Sequence, residues 1–174
     1  MLKFHPASRS DLVAIYHLQN KPFRDRVFAN RLPVLERFLQ EATTRLEKGE
    51  EQYYILEEDK SPIGFTQYLK TAEEWDVIYW GKWINTLTYA SFKVAFEDLG
   101  LKKLRGAVRD TNKRMLRIHE RLGIRRIGRE SLLYMRELFG GVAVAHFIYF
   151  EITAEEFLQK RSMLRKHSLE IVFS

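Results

Sequence analysis

Trp75-Asp76-Val77-Ile78-Tyr79-Trp80, then Gly81-Lys82-Trp83-Ile84, then Asn85 to Leu99 closed by Gly100, is the stretch that decides the fold. The apolar and aromatic run at 75–80 predicts a strand, and Gly100 supplies a stop for the helix that follows. A strand that passes through a short turn into a helix aims several unpaired backbone N–H groups at one point, which is an anion site. The helix is apolar almost all round. Leu87, Ala90, Val94 and Ala95 form one face, Tyr89, Phe92 and Phe96 another, leaving Thr86, Lys93 and Glu97 as a polar stripe. Such a helix is expected to be packed on two sides across a sheet.

Working outward, Leu104 to Val108 predicts a further strand, so strand, helix and strand make a right-handed parallel βαβ unit. Asp110-Thr111-Asn112 opens a helix with Met115, Ile118 and Leu122 inside and Gly123 as its cap. Ile124 to Met135 is extended, Phe139-Gly140-Gly141 is a turn, and Val142 to Ile152 is the last strand. Thr153 to Phe157 starts a final helix, whose basic continuation (Lys160, Arg161, Arg165, Lys166) is expected to be a surface tail. Upstream, Leu2 to His5 is a short strand, and Ser8 with Asp11 resembles a capping box. Leu35, Phe38, Leu39, Ala42 and Leu46 make an amphipathic helix stopped by Gly49. Gln52–Glu57 and Pro62–Lys70 form a hairpin through Glu58-Asp59-Lys60-Ser61, read as a loop of moderate length. Phe23 to Arg31, mixed basic and aromatic, either lines a substrate site or pins a helix connection. The order β-α-α-β-β-β-α-β-α-β-β-α is α+β with a mixed sheet.

With 174 residues the chain can bury one sizeable core. It has no cysteine, which rules out disulfides and thiolate sites and fits a cytoplasmic location. No apolar h-region follows the N-terminus, and no apolar run approaches a membrane span. The net charge of +6 suits an anionic ligand or partner, or is ordinary solubility charge.

Three passages and the element order resemble the GNAT superfamily of acyl-CoA-dependent N-acetyltransferases. Glu57-Glu58-Asp59-Lys60-Ser61-Pro62-Ile63-Gly64-Phe65 looks like the family's second and third strands. Leu99-Gly100-Leu101-Lys102-Lys103-Leu104, followed by Val108 and Asn112, looks like its fifth strand and the asparagine after it. Glu120-Arg121-Leu122-Gly123-Ile124 is similar to the family's E-K-L-G-F. The ending Phe147-Ile148-Tyr149-Phe150-Glu151-Ile152-Thr153 looks like the branch that acetylates protein N-termini, of the ribosomal-protein-alanine type, and small amines. The resemblance implies a GNAT-like sheet of six or seven strands with helices on both faces. It makes 1–157 a single domain, with 158–174 a basic extension of it.

The family's phosphate turn reads Q/R-x-x-G-x-G/A, and the matching residues are Trp80-Gly81-Lys82-Trp83-Ile84-Asn85. Gly81 and Lys82 match the branch, whereas Trp83 and Asn85 stand where small residues are expected. Either the Trp83 ring points away and the amides stay usable, or it fills the site. The resemblance implies acetyl-CoA as co-substrate, no metal, and an amine acceptor, either a small molecule or a protein N-terminus; it allows a homodimer. The cofactor would meet Ile78, Tyr79, Trp80, Gly81, Lys82, Trp83, Ile84, Asn85 and Thr86, together with Asn112 and Lys113. A neutral amine would attack the thioester carbonyl while a backbone N–H near Ile78 to Trp80 holds its oxygen. His119 stands where the family often has a tyrosine, and as an imidazolium it could protonate the leaving thiolate. Asp76 and Glu74 are the candidates for the base. Lys113, Arg114, Arg117 and Arg121 would meet the adenosine phosphate or form a solvated basic face. Two other readings compete: a catalytically inactive GNAT-like binding module, and a basic nucleic-acid binder.

Overall fold

The computed structural model describes residues 1–20, 34–72, 74–135 and 142–174. The segment Phe23 to Arg31 and the turn Phe139-Gly140-Gly141 lie outside the described residues. In chain order the elements are β1 (Leu2–Pro6), α1 (Asp11–Gln19), α2 (Leu35–Glu47), β2 (Glu51–Glu58), β3 (Ser61–Thr71) and β4 (Glu74–Gly81). There follow α3 (Ile84–Lys93), β5 (Lys103–Arg109), α4 (Lys113–Arg121), β6 (Arg125–Met135), β7 (Val142–Thr153), α5 (Ala154–Lys166) and β8 (Ile171–Phe173). They build one eight-stranded sheet in the order β6-β7-β5-β4-β3-β2-β1-β8. Among the described residues no helix is long and apolar enough to cross a membrane.

Strand alternation divides the core into two layers. On one face Tyr53, Ile55, Phe65, Ile78 and Trp80 pack with Leu12, Ile15 and Leu18 of α1 and with Phe38 and Ala42 of α2. On the other, Phe4, Leu56, Tyr68, Val77 and Tyr79 pack with α3, α4 and α5 through Leu87, Phe92, Met115, Ile118, Phe157 and Leu164. The parallel βαβ unit is present: β4 and β5 are parallel with α3 between them. Their pairing is confined to Asp76 opposite Arg105, whereas β3 and β4 pair from Gly64–Gly81 to Thr71–Glu74. The two central parallel strands therefore diverge toward their C-terminal ends.

Several local expectations are corrected. The β2–β3 connection is a tight two-residue turn, with Asp59 and Lys60 both at positive φ (50° and 67°). That is the backbone twist a short hairpin requires, and aspartate tolerates it better than most residues. A bulge opposite Leu56/Glu57 takes up Ile63 as the extra residue, next to Pro62, which pairs with Glu57. At α1 half of the capping box forms: Asp11 accepts from the Ser8 N–H at 2.7 Å, but Ser10 is the cap residue.

Helix α3 starts at Ile84, and its ladder shifts to a π-turn over Val94–Asp98. The Tyr68 hydroxyl donates to the Ser91 carbonyl at 2.6 Å just before the shift, a side chain inserted into the ladder. Thr86 is not on a polar stripe. It is buried, and its hydroxyl accepts the Leu169 N–H at 2.9 Å.

The basic tail is not a surface tail either. After α5, which opens with a full capping box from Thr153 and Glu156, the chain returns as β8 alongside β1. Phe173 stacks edge-on against Phe4 at 6.2 Å, and the Lys93 ammonium sits 4.5 Å above the Phe173 ring. The more buried Ile171 and Phe173 alternate with exposed Val172, and the β1 edge offered them an unpaired strand.

Gly81 is required by packing. It faces Gly64 in a non-hydrogen-bonded antiparallel pair, as the Lys82 N–H to Ile63 C=O bond at 3.0 Å shows, and such pairs bring Cα atoms closest. A Cβ on Gly81 would lie 2.4 Å from the Gly64 Cα and 2.7 Å from the Ile63 oxygen. Gly81→Ala should therefore cost about 2 kcal/mol, lowering the melting temperature by roughly 4–8 °C in calorimetry. A melting point equal to wild type would show that the crossing relaxes freely.

Candidate active site between the splayed strands

The divergence of β4 from β5 opens a cavity of about 880 Å³ that passes through the sheet. Its walls come from the C-terminal halves of both strands, from β7, and from the beginnings of α3 and α4. The β3–β4 register decides which backbone groups face it. Because residues 80 and 82 bond to β3, the N–H and C=O groups of Val77, Tyr79 and Gly81 point the other way, toward β5. Beyond Asp76–Arg105 no ladder pair meets them, so the Tyr79 N–H is aimed into the gap.

The two faces of the gap differ in chemistry. On the α1 side the wall holds Gln19, Gln67, Asp76, Arg105, Tyr149 and Glu151. Arg105 bridges Asp76 (3.1 Å) and Glu74, and Lys103 bridges Glu74 and Glu151 (3.3 Å). Arg125 completes the network on Glu151. Thr71 donates to the other Asp76 oxygen at 3.1 Å. The Lys103 hydrogen bond, with the Arg105 charge, holds Glu74 below the usual carboxylate range. At the far end Arg109, Thr111, Asn112, Lys113 and Arg114 make a basic mouth at the start of α4. Asn112 caps that helix, accepting the Met115 N–H at 3.2 Å.

On the α4 side lie Tyr79 and His119. The phenol oxygen is 3.2 Å from His119 Nε2, and the imidazole stands edge-on to Phe150 with ring centroids 4.4 Å apart. Burial depresses the His119 pKa to about 4 and pushes the Tyr79 phenol up, so both groups are neutral at pH 7. The cationic imidazolium expected from the sequence is therefore not the species present.

The predicted residues fall into two groups. His119, Asp76, Ile78, Tyr79, Trp80, Gly81, Ile84, Asn112 and Lys113 line the cavity together. Glu74, Lys82, Trp83, Asn85 and Thr86 are not on its wall. Trp83 is 46 % exposed and donates its indole N–H to Glu58 at 3.2 Å, so the ring leaves the gap open. Its backbone is left-handed (φ 51°, ψ 48°), a conformation that costs a non-glycine residue about 1–2 kcal/mol and accounts for the glycine the family motif expects there. Asn85 accepts from Arg121 at 3.1 Å, which ties α3 to α4, and Arg117 is off the wall. The sequence pointed to Tyr79 only through its backbone. Its side-chain partnership with His119 was signalled by alternation, which puts 77 and 79 on the face opposite Asp76, Ile78 and Trp80.

No family model and no curated protein sequence matches this chain. Its structure, however, matches solved N-acetyltransferases. Spermidine N-acetyltransferase from Vibrio cholerae, solved in complex with CoA and spermine, superposes with a TM-score of 0.74 at 16% identity, over 90% of this chain and 98% of that one. Glutamate-to-glutamine mutant forms of the V. cholerae spermidine/spermine N-acetyltransferase give 0.73 at 16% identity, over 91% and 97%. An N-acetyltransferase from Staphylococcus aureus gives 0.70 at 14% identity, over 88% and 99%. The fold is GNAT-like. The GNAT-like sheet has eight strands here because β8 adds to the β1 edge.

His119 also ties stability of the GNAT-like fold to pH. Its pKa is 6.5 when exposed and about 4 when folded, so between these values the unfolded chain binds the extra proton and stability falls as pH falls. By pH 4 the loss reaches about 3 kcal/mol. Urea unfolding of His119→Phe should show a visibly flatter profile from pH 7 to pH 4. An unchanged profile would mean that the imidazole titrates normally in the fold.

Proposed function

We propose that this chain is an acyl-CoA-dependent N-acetyltransferase that passes an acetyl group from acetyl-CoA to a small primary amine by direct attack. One observation carries the proposal: the open gap between β4 and β5, with the Tyr79 N–H aimed into it and a basic mouth at the start of α4. A gap of this size is in the range of cofactor sites. Arg109, Lys113 and Arg114 suit phosphate groups, and the start of α3 at Ile84 adds backbone donors. The thioester carbonyl would meet the Tyr79 N–H, where developing negative charge gains most.

Acetyl-CoA supplies the activated acyl group; this chain's residues orient it and exclude water. Of the two carboxylate candidates for the base, Asp76 is on the wall and Glu74 is not. The acceptor enters from the Gln19, Gln67 and Asp76 side, opposite the apolar wall around Phe92 and Phe150. The likeness to spermidine N-acetyltransferases supports a small amine over a protein N-terminus.

Isothermal calorimetry with acetyl-CoA, followed by thiol release with spermidine and with a short peptide bearing a free N-terminus, tests the reading. Heat of binding and faster thiol release with spermidine are expected. No heat at millimolar acetyl-CoA would remove the enzyme reading, and binding without turnover on either amine would favour the binding module. Because the indole faces Glu58, Trp83→Gly should leave acetyl-CoA affinity within about twofold of wild type, well under the 1.4 kcal/mol of a tenfold change. Tightening by about tenfold would show that the ring obstructs the gap.

A further inference from the structure

Tyr79 and His119 form a buried polar pair on the wall of the gap, and the acetyl-transfer reading leaves that pair without a task. The pair's proton arrangement follows from its surroundings. His119 is 5 % exposed, and its Nδ1 has no hydrogen-bond partner among the described residues. A neutral imidazole places one proton on either nitrogen. A proton on Nδ1 would leave a buried N–H unpaired, and an orphaned donor is rarer in folded proteins than an under-used acceptor. The proton therefore belongs on Nε2, where it is donated to the Tyr79 oxygen 3.2 Å away. The Thr88 hydroxyl neighbours the phenol but commits its own proton to the Ile84 carbonyl at 2.7 Å. With its own proton spent on Ile84, the Thr88 oxygen is the resting acceptor for the phenol O–H, which can turn from it to a stronger acceptor in the cavity while His119 holds one lone pair of the phenol oxygen.

We propose that Tyr79 hands its proton to the departing thiolate of the acyl donor, and that His119 is its positioning residue, through an Nε2–H···O bond to the phenol. This rests on the cavity being the acetyl-CoA site. The amine nitrogen forms a bond to the carbonyl carbon, the C–S bond breaks with its electron pair going to sulfur, and the Tyr79 proton moves to that sulfur to give the free thiol. The phenolate left behind is held by the His119 Nε2–H and recovers a proton from the one lost by the amine. Amine and thioester thus become amide and thiol with nothing left over. The same Tyr79 residue contributes its backbone N–H to the gap and its phenol to the other face, so carbonyl oxygen and sulfur are served by two arms of one residue. Burial raises the phenol pKa and so opposes transfer, which makes the hydrogen bond that the His119 Nε2–H gives to the phenolate a requirement of the step. The absence of charge on His119 suits a donor that must give a hydrogen bond without drawing in water.

The assignment is tested in two arms. Tyr79→Phe should lower kcat for thiol release by about 100-fold, in the range of general acid catalysis. The dissociation constant for acetyl-CoA should stay within about threefold, a change well below 1.4 kcal/mol. His119→Gln, which keeps an amide donor, should retain several-fold more kcat than His119→Phe. A Tyr79→Phe kcat within about threefold of wild type, or equal rates for the two His119 variants, would overturn the assignment. In the second arm, ¹⁵N NMR of histidine-labelled wild-type protein at about pH 7.5 should show His119 neutral with its proton on Nε2, the signal identified by its loss in His119→Gln. A proton on Nδ1, or a cationic ring, would overturn the pair without any substitution that could disturb folding. If wild-type protein binds no acetyl-CoA, the cavity reading falls and this assignment with it; a failed Tyr79 result with intact binding and turnover removes only the assignment.

Discussion

Everything in this molecule depends on two parallel strands that pair at one point and then part. Asp76 and Arg105 mark that point, both in the backbone register and through their side chains. Away from it β4 follows β3 and β5 follows β7, each through a full ladder of its own. A sheet interrupted in the middle is costly, because backbone donors and acceptors lose their ladder partners. The structure confines the loss to the C-terminal ends of β4 and β5, where two helices begin and the parted strands form a through-passage. The ion network of Glu74, Asp76, Lys103, Arg105, Glu151 and Arg125 sits at the hinge of the split. Partly exposed ion pairs contribute little stability each, but a network that spans β4, β5, β6 and β7 adds side-chain links beside the one backbone pair that joins β4 to β5.

The turn after β4 shows how one motif answers two demands. Gly81 is small because β3 passes against it, while the left-handed residue two positions later is Trp83. In a turn built for an anion the residue that needs conformational freedom is the one at 83. Here that freedom is replaced by an anchor, since the indole reaches Glu58 near the β2–β3 turn. The side chain thus leaves the passage while the backbone keeps the geometry that starts α3. A tryptophan in place of glycine need not close such a site, because its indole is held on Glu58, outside the passage.

The architecture was legible where pattern and local chemistry agreed. The period of α2, the asparagine cap of α4 and the strand-turn-helix at 75–99 all appear where the residues place them, with small shifts at the ends. Legibility failed where a choice depended on a distant partner. Ile171 and Phe173 carry a strand pattern too short to stand alone, and only the free β1 edge makes them a strand. Thr86, Thr88 and Ser91 are polar by composition and buried in fact. Thr86 and Ser91 find partners on the 168–169 segment and on β3, and Thr88 turns its proton back to its own helix. At the candidate site, the β4 residues named from the sequence lie on the cavity wall, whereas Lys82, Asn85 and Thr86 lie off it, because the register and the α3–α4 contact turn them elsewhere.

His119 shows why residue type alone misleads about chemistry. Read as a sequence, a histidine on a helix suggests a charge that switches near neutral pH. Packed against Phe150 and shut off from water, the same ring is an uncharged hydrogen-bonding partner for the Tyr79 phenol. Tyr79 and α4 meet because both belong to the same core layer on one face of the sheet, so the pairing of 79 with 119 is a consequence of packing. What the fold contributes to reactivity is thus the removal of water around two ordinary side chains, which converts a surface-type imidazole and phenol into a directed donor pair beside an open passage.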